Sequence, residues 1–301
     1  MTDARHALPD TERTARIRTR SLRLRLTSVR AVRSARWGFL GSCLSVADIL
    51  AALVEHLDLA DPGGAETPDH DRLVLSKGHA APALYAAVAG WEGDDGTYAA
   101  LDSPYQGHPN LRFLPGAGMT TGSLGLGVPA AAGLAHGLAL RGGSGRVAVV
   151  MGDGELQTGI ALEGYQWALR AGLRNLLLVV DANGYQSGGT TRGGDGARRM
   201  LASTAPAFAA VDGHDLADLD AGIERLLNAS AGPAVLWAST VRGSGVPVIE
   251  QKPVPMSWIP DDATLGGAER ALGSQLRAAE SVLAAFSGRP HADRTVPRRT
   301  T

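Results

Sequence analysis

Two apolar runs, each followed by a polar turn, constrain the fold of this chain most strongly. The first, residues 147–151, leads into a glycine–acid–glycine turn centred on Asp153, and the second, residues 176–180, is followed by Asn183. Both runs have the length and composition of buried strands, and a helical pattern follows the first. Open parallel α/β sheets bind ligands at the carboxyl ends of their strands. We therefore expect Asp153 and Asn183 to face one site.

The residue types at this expected site suit a hard metal ion. Asp153 offers a carboxylate oxygen, Asn183 an amide oxygen, and the backbone carbonyl of Tyr185 is a candidate third ligand. Magnesium prefers oxygen ligands in octahedral geometry and usually takes the others from phosphates and water. The sequence thus predicts a magnesium site at these two strand ends.

The glycines beside Asp153 suit an anionic cofactor. Gly152 and Gly154 let the backbone approach a diphosphate closely. A helix predicted to start near Glu155 would direct free N–H groups and a positive dipole end at that anion. Glycine–acid–glycine alone also occurs in ordinary turns, so the spacing to Asn183 is needed for the interpretation.

Composition limits the class of protein. The 301 residues are 44% hydrophobic and carry a formal net charge of −1, which predicts a large core and argues against nucleic acid or a membrane surface as the main partner. The single cysteine, Cys43, rules out an internal disulfide. No apolar run reaches the length of a membrane span, so we expect a cytoplasmic enzyme or enzyme subunit.

One large domain is predicted, over residues 12–286. Residues 1–11 are predicted to be a flexible tail, and residues 287–301, which are polar and contain prolines, a disordered one. Residues 11–36 carry many arginines among aliphatic residues, which predicts an amphipathic helix with a solvated basic face.

The spacing of Asp153 and Asn183 resembles the thiamine diphosphate signature, and residues 152–164 resemble transketolases, above all the short N-terminal halves of split bacterial ones. The resemblance implies an α/β fold with a parallel central sheet flanked by helices, the diphosphate-binding domain of the thiamine diphosphate-binding fold. It implies thiamine diphosphate with Mg²⁺ (or Ca²⁺ or Mn²⁺) as cofactors. Asp153, Asn183 and the carbonyl of Tyr185 would hold the metal, with Gly152, Gly154 and Glu155 beside the diphosphate.

Three further stretches resemble transketolase motifs. Residues 71–80 resemble the stretch whose histidine, here His79, lies near the diphosphate and the reaction centre. Residues 106–109 resemble a Gln-Gly-His-Pro motif whose histidine, here His108, reaches substrate hydroxyls. Gly122, Ser123 and Leu124 match the loop that packs against the aminopyrimidine of the cofactor, although Ser123 is also a candidate cap for the following helix.

The chain departs from the family at positions that bear on the substrate. Phe39 and Ile259 stand where two substrate-facing histidines are expected, and Thr158 stands in place of an acid. Glu163 keeps the second acidic position of a network that connects the two active sites of the family's dimer. Because an apolar ring cannot donate to a sugar hydroxyl or phosphate, we expect an unusual substrate, although a drifted loop also explains Phe39.

The resemblance covers only half of a thiamine enzyme. The glutamate that activates the cofactor belongs to a second domain, and its usual setting does not occur here. We therefore expect a C-terminal, pyrimidine-binding partner subunit in an α2β2 assembly. The expected reaction is transfer of a two-carbon ketol (or acyl) unit from a ketone donor to an aldehyde acceptor in specialised metabolism, with His79, His108 and Glu163 as catalytic candidates. The alternatives are a subunit of a thiamine-dependent 2-oxoacid decarboxylase or acyl transferase and a non-catalytic, cofactor-holding scaffold.

Overall fold

The structure, a computed structural model, describes residues 11–59, 67–93, 95–114, 116, 118–191, 193–250, 252 and 254–287. Apart from Thr11 and Ser287, both predicted tails lie outside the described residues. Thr11 caps the first helix by accepting a hydrogen bond from the backbone N–H of Thr14, and Ser287 is the last residue of the last helix.

Helices and strands alternate along most of the chain. The eight α-helices of the described residues are α1 (Glu12–Ala35), α2 (Leu40–His56), α3 (Ala81–Ala89), α4 (Gly127–Leu140), α5 (Gly159–Ala171), α6 (Gly194–Thr204), α7 (Leu216–Leu227) and α8 (Asp262–Ser287). The strands are β1 (Arg72–Leu75), β2 (Val147–Gly152), β3 (Leu176–Ala182), β4 (Tyr185–Gln186), β5 (Gly189–Thr190), β6 (Ala207–Asp212) and β7 (Ala234–Ser239). None of the helices in the described part of the chain is long and apolar enough to cross a membrane.

Five strands form one parallel sheet in the order β1-β2-β3-β7-β6, while β4 and β5 form a small hairpin. The predicted fold class is therefore confirmed. Alternate residues of β2 point to opposite faces. Ala148 and Val150 belong to the apolar cluster that includes residues of α2, α3 and α7, whereas Val147 and Val149 belong to the cluster that includes residues of α4 and α5. Because both faces are covered by helices, every position of the strand is apolar.

The first helix is more buried than its arginines predict. Arg25 is buried and pairs with Asp48 of α2 at 2.7 Å. Arg33 pairs with Asp262 and Glu269 of α8 at 2.8 and 2.9 Å. The predicted solvated basic face is thus wrong in part, because acids on neighbouring helices meet these cations.

The helix after Asp153 begins later than predicted. Residues 153–157 form a short 3-10 turn, and α5 starts at Gly159 with the Thr158 hydroxyl accepting a hydrogen bond from the N–H of Ala161. No N-terminus of a long helix therefore lies at Glu155. Ser123 does not cap α4 either, because α4 begins at Gly127 and Leu126 occupies the cap position.

Candidate active site

The register of the central strands brings the predicted residues to one edge of the sheet. Leu75 of β1 is level with Val150 of β2, and Gly152 of β2 is level with Asp181 of β3. A cavity of about 420 Å³ lies at this edge. Its lining comprises Phe39, Ser42, Lys77, His79, His108, Gly122, Leu124, Gly152, Gly154, Glu155, Asn183, Tyr185, Gln186, Ser187, Gly188 and Met256.

Asp153 and Asn183 present oxygen atoms that fit a metal ion. One carboxylate oxygen of Asp153 (Oδ2) accepts a hydrogen bond from the N–H of Gly184 at 3.2 Å, while the other (Oδ1) is buried and has no hydrogen-bond partner among the described residues. The Asn183 amide oxygen accepts a hydrogen bond from the N–H of Tyr185, and its amide nitrogen donates to Ser45. These contacts fix the side chains of Asp153 and Asn183. The unpaired Oδ1 of Asp153 is therefore available as a ligand for a metal ion.

Burial, followed by the nearby charge of Asp181, raises the pKa of Asp153 to about 6. A cation bound to Oδ1 of Asp153 would stabilise the ionised carboxylate and so offset the effects of burial and of Asp181. This environment is consistent with Asp153 as a metal ligand. No cluster of three or more His, Cys, Asp or Glu side chains that could hold a metal was found in the described residues. Other ligands, such as the amide of Asn183, the carbonyl of Tyr185 and a diphosphate, would be needed to complete the shell.

The carboxylate of Glu155 connects loops that surround the cavity. Its carboxylate accepts hydrogen bonds from the Ser76 hydroxyl at 2.5 Å and from the backbone N–H groups of Gly125 and Gly152 at 3.0 and 2.9 Å. Burial raises the pKa of Glu155, with these donors opposing the shift. Glu155 therefore ties the ends of β1 and β2 to the loop that precedes α4. The sequence had predicted only a helix N-terminus at this residue. Gly154, next to it, packs against Gln186, where a Cβ atom would lie 3.0 Å from the Gln186 Cβ.

A buried ion pair at the cavity, between Lys77 and Asp181, was not predicted from the sequence. The Lys77 ammonium donates hydrogen bonds to the carboxylate of Asp181 and to the carbonyl of Ser42. Asp181 is fully buried and also accepts from the hydroxyls of Ser45, at 2.7 Å, and Thr240. One feature of the sequence could have indicated it: Asp181 directly follows five aliphatic residues of β3, and a buried acid at such a position needs a partner.

His79 and His108 both line the cavity, as predicted, and the ring of Phe39 packs against both. The Phe39 ring centroid is 5.4 Å from that of His79 and 6.4 Å from that of His108, edge-on in both cases. Burial, together with the charge of Lys77 and the proximity of His108, lowers the pKa of His79 to about 3. Burial also lowers the pKa of His108. His79 is consequently neutral at physiological pH.

The loop predicted to meet the aminopyrimidine forms one wall of the cavity. Gly122 has φ +148°, and a Cβ there would lie 3.1 Å from the His108 ring, so glycine is needed for this close packing. Leu124 lines the cavity and is 60% exposed. Ser123 does not line this cavity; it borders a smaller depression next to it, with Gly122 and His108.

Glu163 is not brought to the cavity. It lies on the exposed side of α5, away from the lining residues. Thr158, at the position of the missing acid, caps α5 and donates to the carbonyl of Glu155 at 2.7 Å. The predicted catalytic role of Glu163 therefore stays a prediction.

Met256, and not Ile259, is the residue of the segment after β7 that lines the cavity. Ile259 packs against the apolar cluster between α1, α2 and α8, and Met256 is the side chain that lines the cavity. Arg242, which is 2% exposed, holds this segment by donating to the backbone carbonyls of Lys252, Val254 and Pro255 at 3.0–3.2 Å. Ile259, which stands where the second substrate-facing histidine is expected, is not among the residues that line this cavity.

The parallel sheet, the paired glycines and the polar strand ends define an α/β domain with its ligand site at the carboxyl ends of the strands. The sequence profile of the family described as "Transketolase, thiamine diphosphate binding domain" matches residues 18–254. The chain belongs to this family, as its motifs predict.

Relatives with known names fall into two groups. Transketolase-like protein 2 of Homo sapiens is 36% identical over 270 residues, which are 84% of this chain and 42% of that protein. A 6-deoxy-6-sulfo-D-fructose transketolase subunit of Clostridium sp. is 33% identical over 71% of this chain and 81% of its own length. An apulose-4-phosphate transketolase subunit of Actinobacillus succinogenes is 32% identical over 72% and 80%. The chain thus spans about two fifths of the length of the first relatives and most of the two subunits.

Solved structures agree with the fold. The transketolase of Pichia stipitis in complex with sedoheptulose 7-phosphate superposes with a TM-score of 0.70 at 22% identity, over 91% of this chain and 46% of that one. The transketolase of Campylobacter jejuni gives the same TM-score at 24% identity, over 92% and 48%. At this identity the likeness shows a shared fold.

Proposed function

We propose that this chain binds magnesium and thiamine diphosphate and forms, with a second subunit, an enzyme that transfers a two-carbon ketol (or acyl) unit from a ketone donor to an aldehyde-type acceptor. The observation that carries the proposal is the unpaired, buried carboxylate oxygen of Asp153 beside Asn183. A buried acceptor without a partner is costly unless a ligand satisfies it. When bound, thiamine diphosphate supplies a thiazolium ring that acts as an electron sink for cleavage beside a ketone.

Each proposed role follows from a side chain's position. Asp153, Asn183 and the carbonyl of Tyr185 hold Mg²⁺ (or Ca²⁺ or Mn²⁺), and the glycines beside Asp153 leave room for the diphosphate. The neutral imidazole of His79 and the less buried imidazole of His108 orient hydroxyl or phosphate oxygens by hydrogen bonds.

A pyrimidine-binding partner subunit, in an α2β2 assembly, completes the site in this proposal. Two relatives of comparable length are called transketolase subunits, which supports a division of the enzyme between chains. The exposure of Leu124 at the cavity wall also supports it, because a partner would remove this side chain from water. A cytoplasmic location stays a prediction.

The proposed substrate differs from the ordinary sugar phosphates and belongs to specialised metabolism. Phe39 contacts both histidines of the cavity, where it can neither donate nor accept a hydrogen bond. Losing one charge-assisted contact costs about 1.5–3 kcal/mol, or about 10- to 150-fold in rate. Turnover of xylulose 5-phosphate with ribose 5-phosphate at the rate of an ordinary transketolase would rule out a changed substrate.

Exchange of the cofactor's C2 proton tests the catalytic proposal without knowledge of the substrate. The chain is purified with its co-purifying partner, thiamine diphosphate and Mg²⁺ are added, and hydrogen–deuterium exchange at C2 is followed by NMR. We expect exchange much faster than in buffer, and loss of this acceleration when the partner is removed.

Two variants sharpen this experiment. Asp153→Asn keeps the shape of the side chain but weakens a metal ligand, so we expect cofactor binding and fast exchange to require much more Mg²⁺. Asp195→Asn makes the same chemical change on an exposed residue at the start of α6 and serves as the matched control. Exchange at the buffer rate, despite bound partner and cofactor, would favour the non-catalytic scaffold.

A further inference from the structure

The turn between α1 and α2 presents two aromatic rings, Trp37 and Phe39, on either side of Gly38. Gly38 has φ +142°, and a Cβ there would lie 2.7 Å from a methyl group of Val32. Glycine is therefore required, and the tight turn fixes the directions in which the two rings point.

Trp37 extends the apolar surface of Phe39 away from the cofactor cavity. The two ring centroids are 5.6 Å apart with the planes at 75°, an edge-to-face contact. The indole also lies against the backbone of Gly107, where a Cβ would be 2.5 Å from its Cη2 atom. Behind it the buried ring of Tyr98 has its centroid 5.9 Å away. The indole is thus held in place from two sides, yet Trp37 as a residue is 41% exposed.

The exposed side of Trp37 faces a second depression of about 780 Å³. Its lining includes Trp37, Tyr98, Leu101, Asp102, Gln106 and Gly107. This outer depression adjoins the cofactor cavity in two ways: Phe39, which touches Trp37, lines the cavity, and His108, which follows Gly107, does so as well.

We propose that Trp37 and Phe39 determine specificity by forming an aromatic wall that receives a flat, apolar substituent of the acceptor. The acceptor would be an aldehyde carrying an aromatic or similarly unsaturated group in place of a polyhydroxylated chain. The inference rests on the proposed function, which supplies the ketol unit at the cofactor. Aromatic edges and faces bind flat apolar groups well, whereas a hydroxyl buried against them loses its hydrogen bonds to water.

Competition between two acceptors tests this wall. The complete complex, with thiamine diphosphate and Mg²⁺, is given hydroxypyruvate as donor and either benzaldehyde or D-erythrose as acceptor. Each turnover releases one carbon dioxide, takes up one proton and forms the new carbon–carbon bond between the ketol unit and the aldehyde carbon. We expect the ratio of kcat/KM values to favour benzaldehyde by about tenfold or more.

Three variants test whether Trp37 and Phe39 cause the preference for benzaldehyde. Trp37→Ser removes the indole and Phe39→His restores a hydrogen-bonding ring, and each should lower the ratio by about tenfold. Trp37→Phe keeps an aromatic face and should stay within about threefold of the native ratio. A ratio between two acceptors does not change when a variant merely lowers the amount of active enzyme.

Unreactive analogues of the two acceptors allow the same test by binding alone, so the result does not depend on hydroxypyruvate being a good donor. Benzyl alcohol should bind the complex more tightly than erythritol in saturation-transfer NMR, and Trp37→Ser should weaken benzyl alcohol by about tenfold. The absence of benzyl alcohol binding would overturn the inference. An acceptor ratio that is the same in Trp37→Ser as in the native protein would overturn it too. If Trp37→Ser also dissociates the subunits, Trp37 contacts the partner subunit instead of the acceptor. Fast C2 exchange alongside either result would leave the proposed function standing.

Discussion

The ammonium group of Lys77 is hydrogen-bonded to the carboxylate of Asp181, although the two residues lie at the ends of strands that are not neighbours. Strand β2, which carries Asp153 just beyond its end, lies between them. Both partners are almost completely buried. The ion pair therefore fixes the spacing of the strand ends on either side of the proposed metal ligand.

Lys77→Met should destabilise the protein by about 3–5 kcal/mol, because it leaves the Asp181 carboxylate buried without its cation. The double variant Lys77→Met with Asp181→Leu should recover part of this loss, since it leaves no unpaired charge. Urea unfolding of the two single variants and the double variant measures the coupling free energy. A loss below about 1 kcal/mol in Lys77→Met would contradict a buried pair.

His79 should stay neutral over the pH range in which an ordinary histidine gains a proton. Its pKa is lowered to about 3 by burial, with Lys77 and His108 adding to the effect, so the charged form is disfavoured in the folded chain. The imidazole ¹⁵N shifts, assigned with a His79→Gln variant, should show a neutral ring down to about pH 5. A titration midpoint near pH 6.5 would show that the ring is open to water.

The carboxylate of Asp48 should contribute pH-dependent stability. Burial opposes its ionisation, but the charge of Arg25 and the hydrogen bonds from Arg25, His214 and Ser21 outweigh burial and hold its pKa well below the usual range. Because the folded-state pKa is the lower one, this stability is complete above about pH 4 and is lost as the pH falls toward the lowered value.

Asp48→Asn tests that contribution directly. It should cost about 3–5 kcal/mol at pH 7, since Arg25 loses its buried counter-ion. The difference from the native chain should shrink below pH 4, because Asp48 then takes up a proton in the unfolded chain while it stays ionised in the folded one, and this favours unfolding of the native chain. Unfolding by urea at several pH values measures it, and Asp58→Asn, a change at a highly exposed side chain, is the control. A difference that does not depend on pH would argue against the ionised pair.

Arg242 should control the order of the segment that carries Met256. Its guanidinium spans three backbone carbonyls, and burial lowers its pKa. Lys at this position keeps the charge but cannot match the planar fork, so Arg242→Lys should speed exchange of the amide protons of Lys252, Val254 and Met256. Arg225→Lys, near the end of α7, is the matched control. Unchanged exchange in that segment would show that other contacts hold it.

The sequence predicted the sheet because its signals are local. The runs that became β2 and β3 are apolar at every position, and the polar residues Asp153 and Asn183 come just after them. A parallel register then places both at one edge without further information. Local signals were also sufficient for His79 and His108, which line the cavity as their motifs imply.

The contacts that were missed depend on residues far apart in the chain. Lys77 and Asp181 are 104 positions apart, and only the folded sheet brings them together. The start of α5 was misjudged because Thr158, rather than a residue of the preceding turn, caps it. Ile259 was aligned with a substrate-facing histidine, but Arg242 bonds the carbonyls of Lys252, Val254 and Pro255, and Met256 is the residue of this segment that lines the cavity.

The first and last helices pack against each other along the same edge of the molecule. Arg23 of α1 reaches Glu280 of α8 at 2.8 Å, and Arg33 reaches Asp262 at the same distance. On the ribosome, the sheet can begin to assemble while α8 is still being translated. The side of α1 that packs against α8 then stays uncovered until α8 has left the exit tunnel, whereas the contacts of α1 with α2 and α3 can form earlier in synthesis.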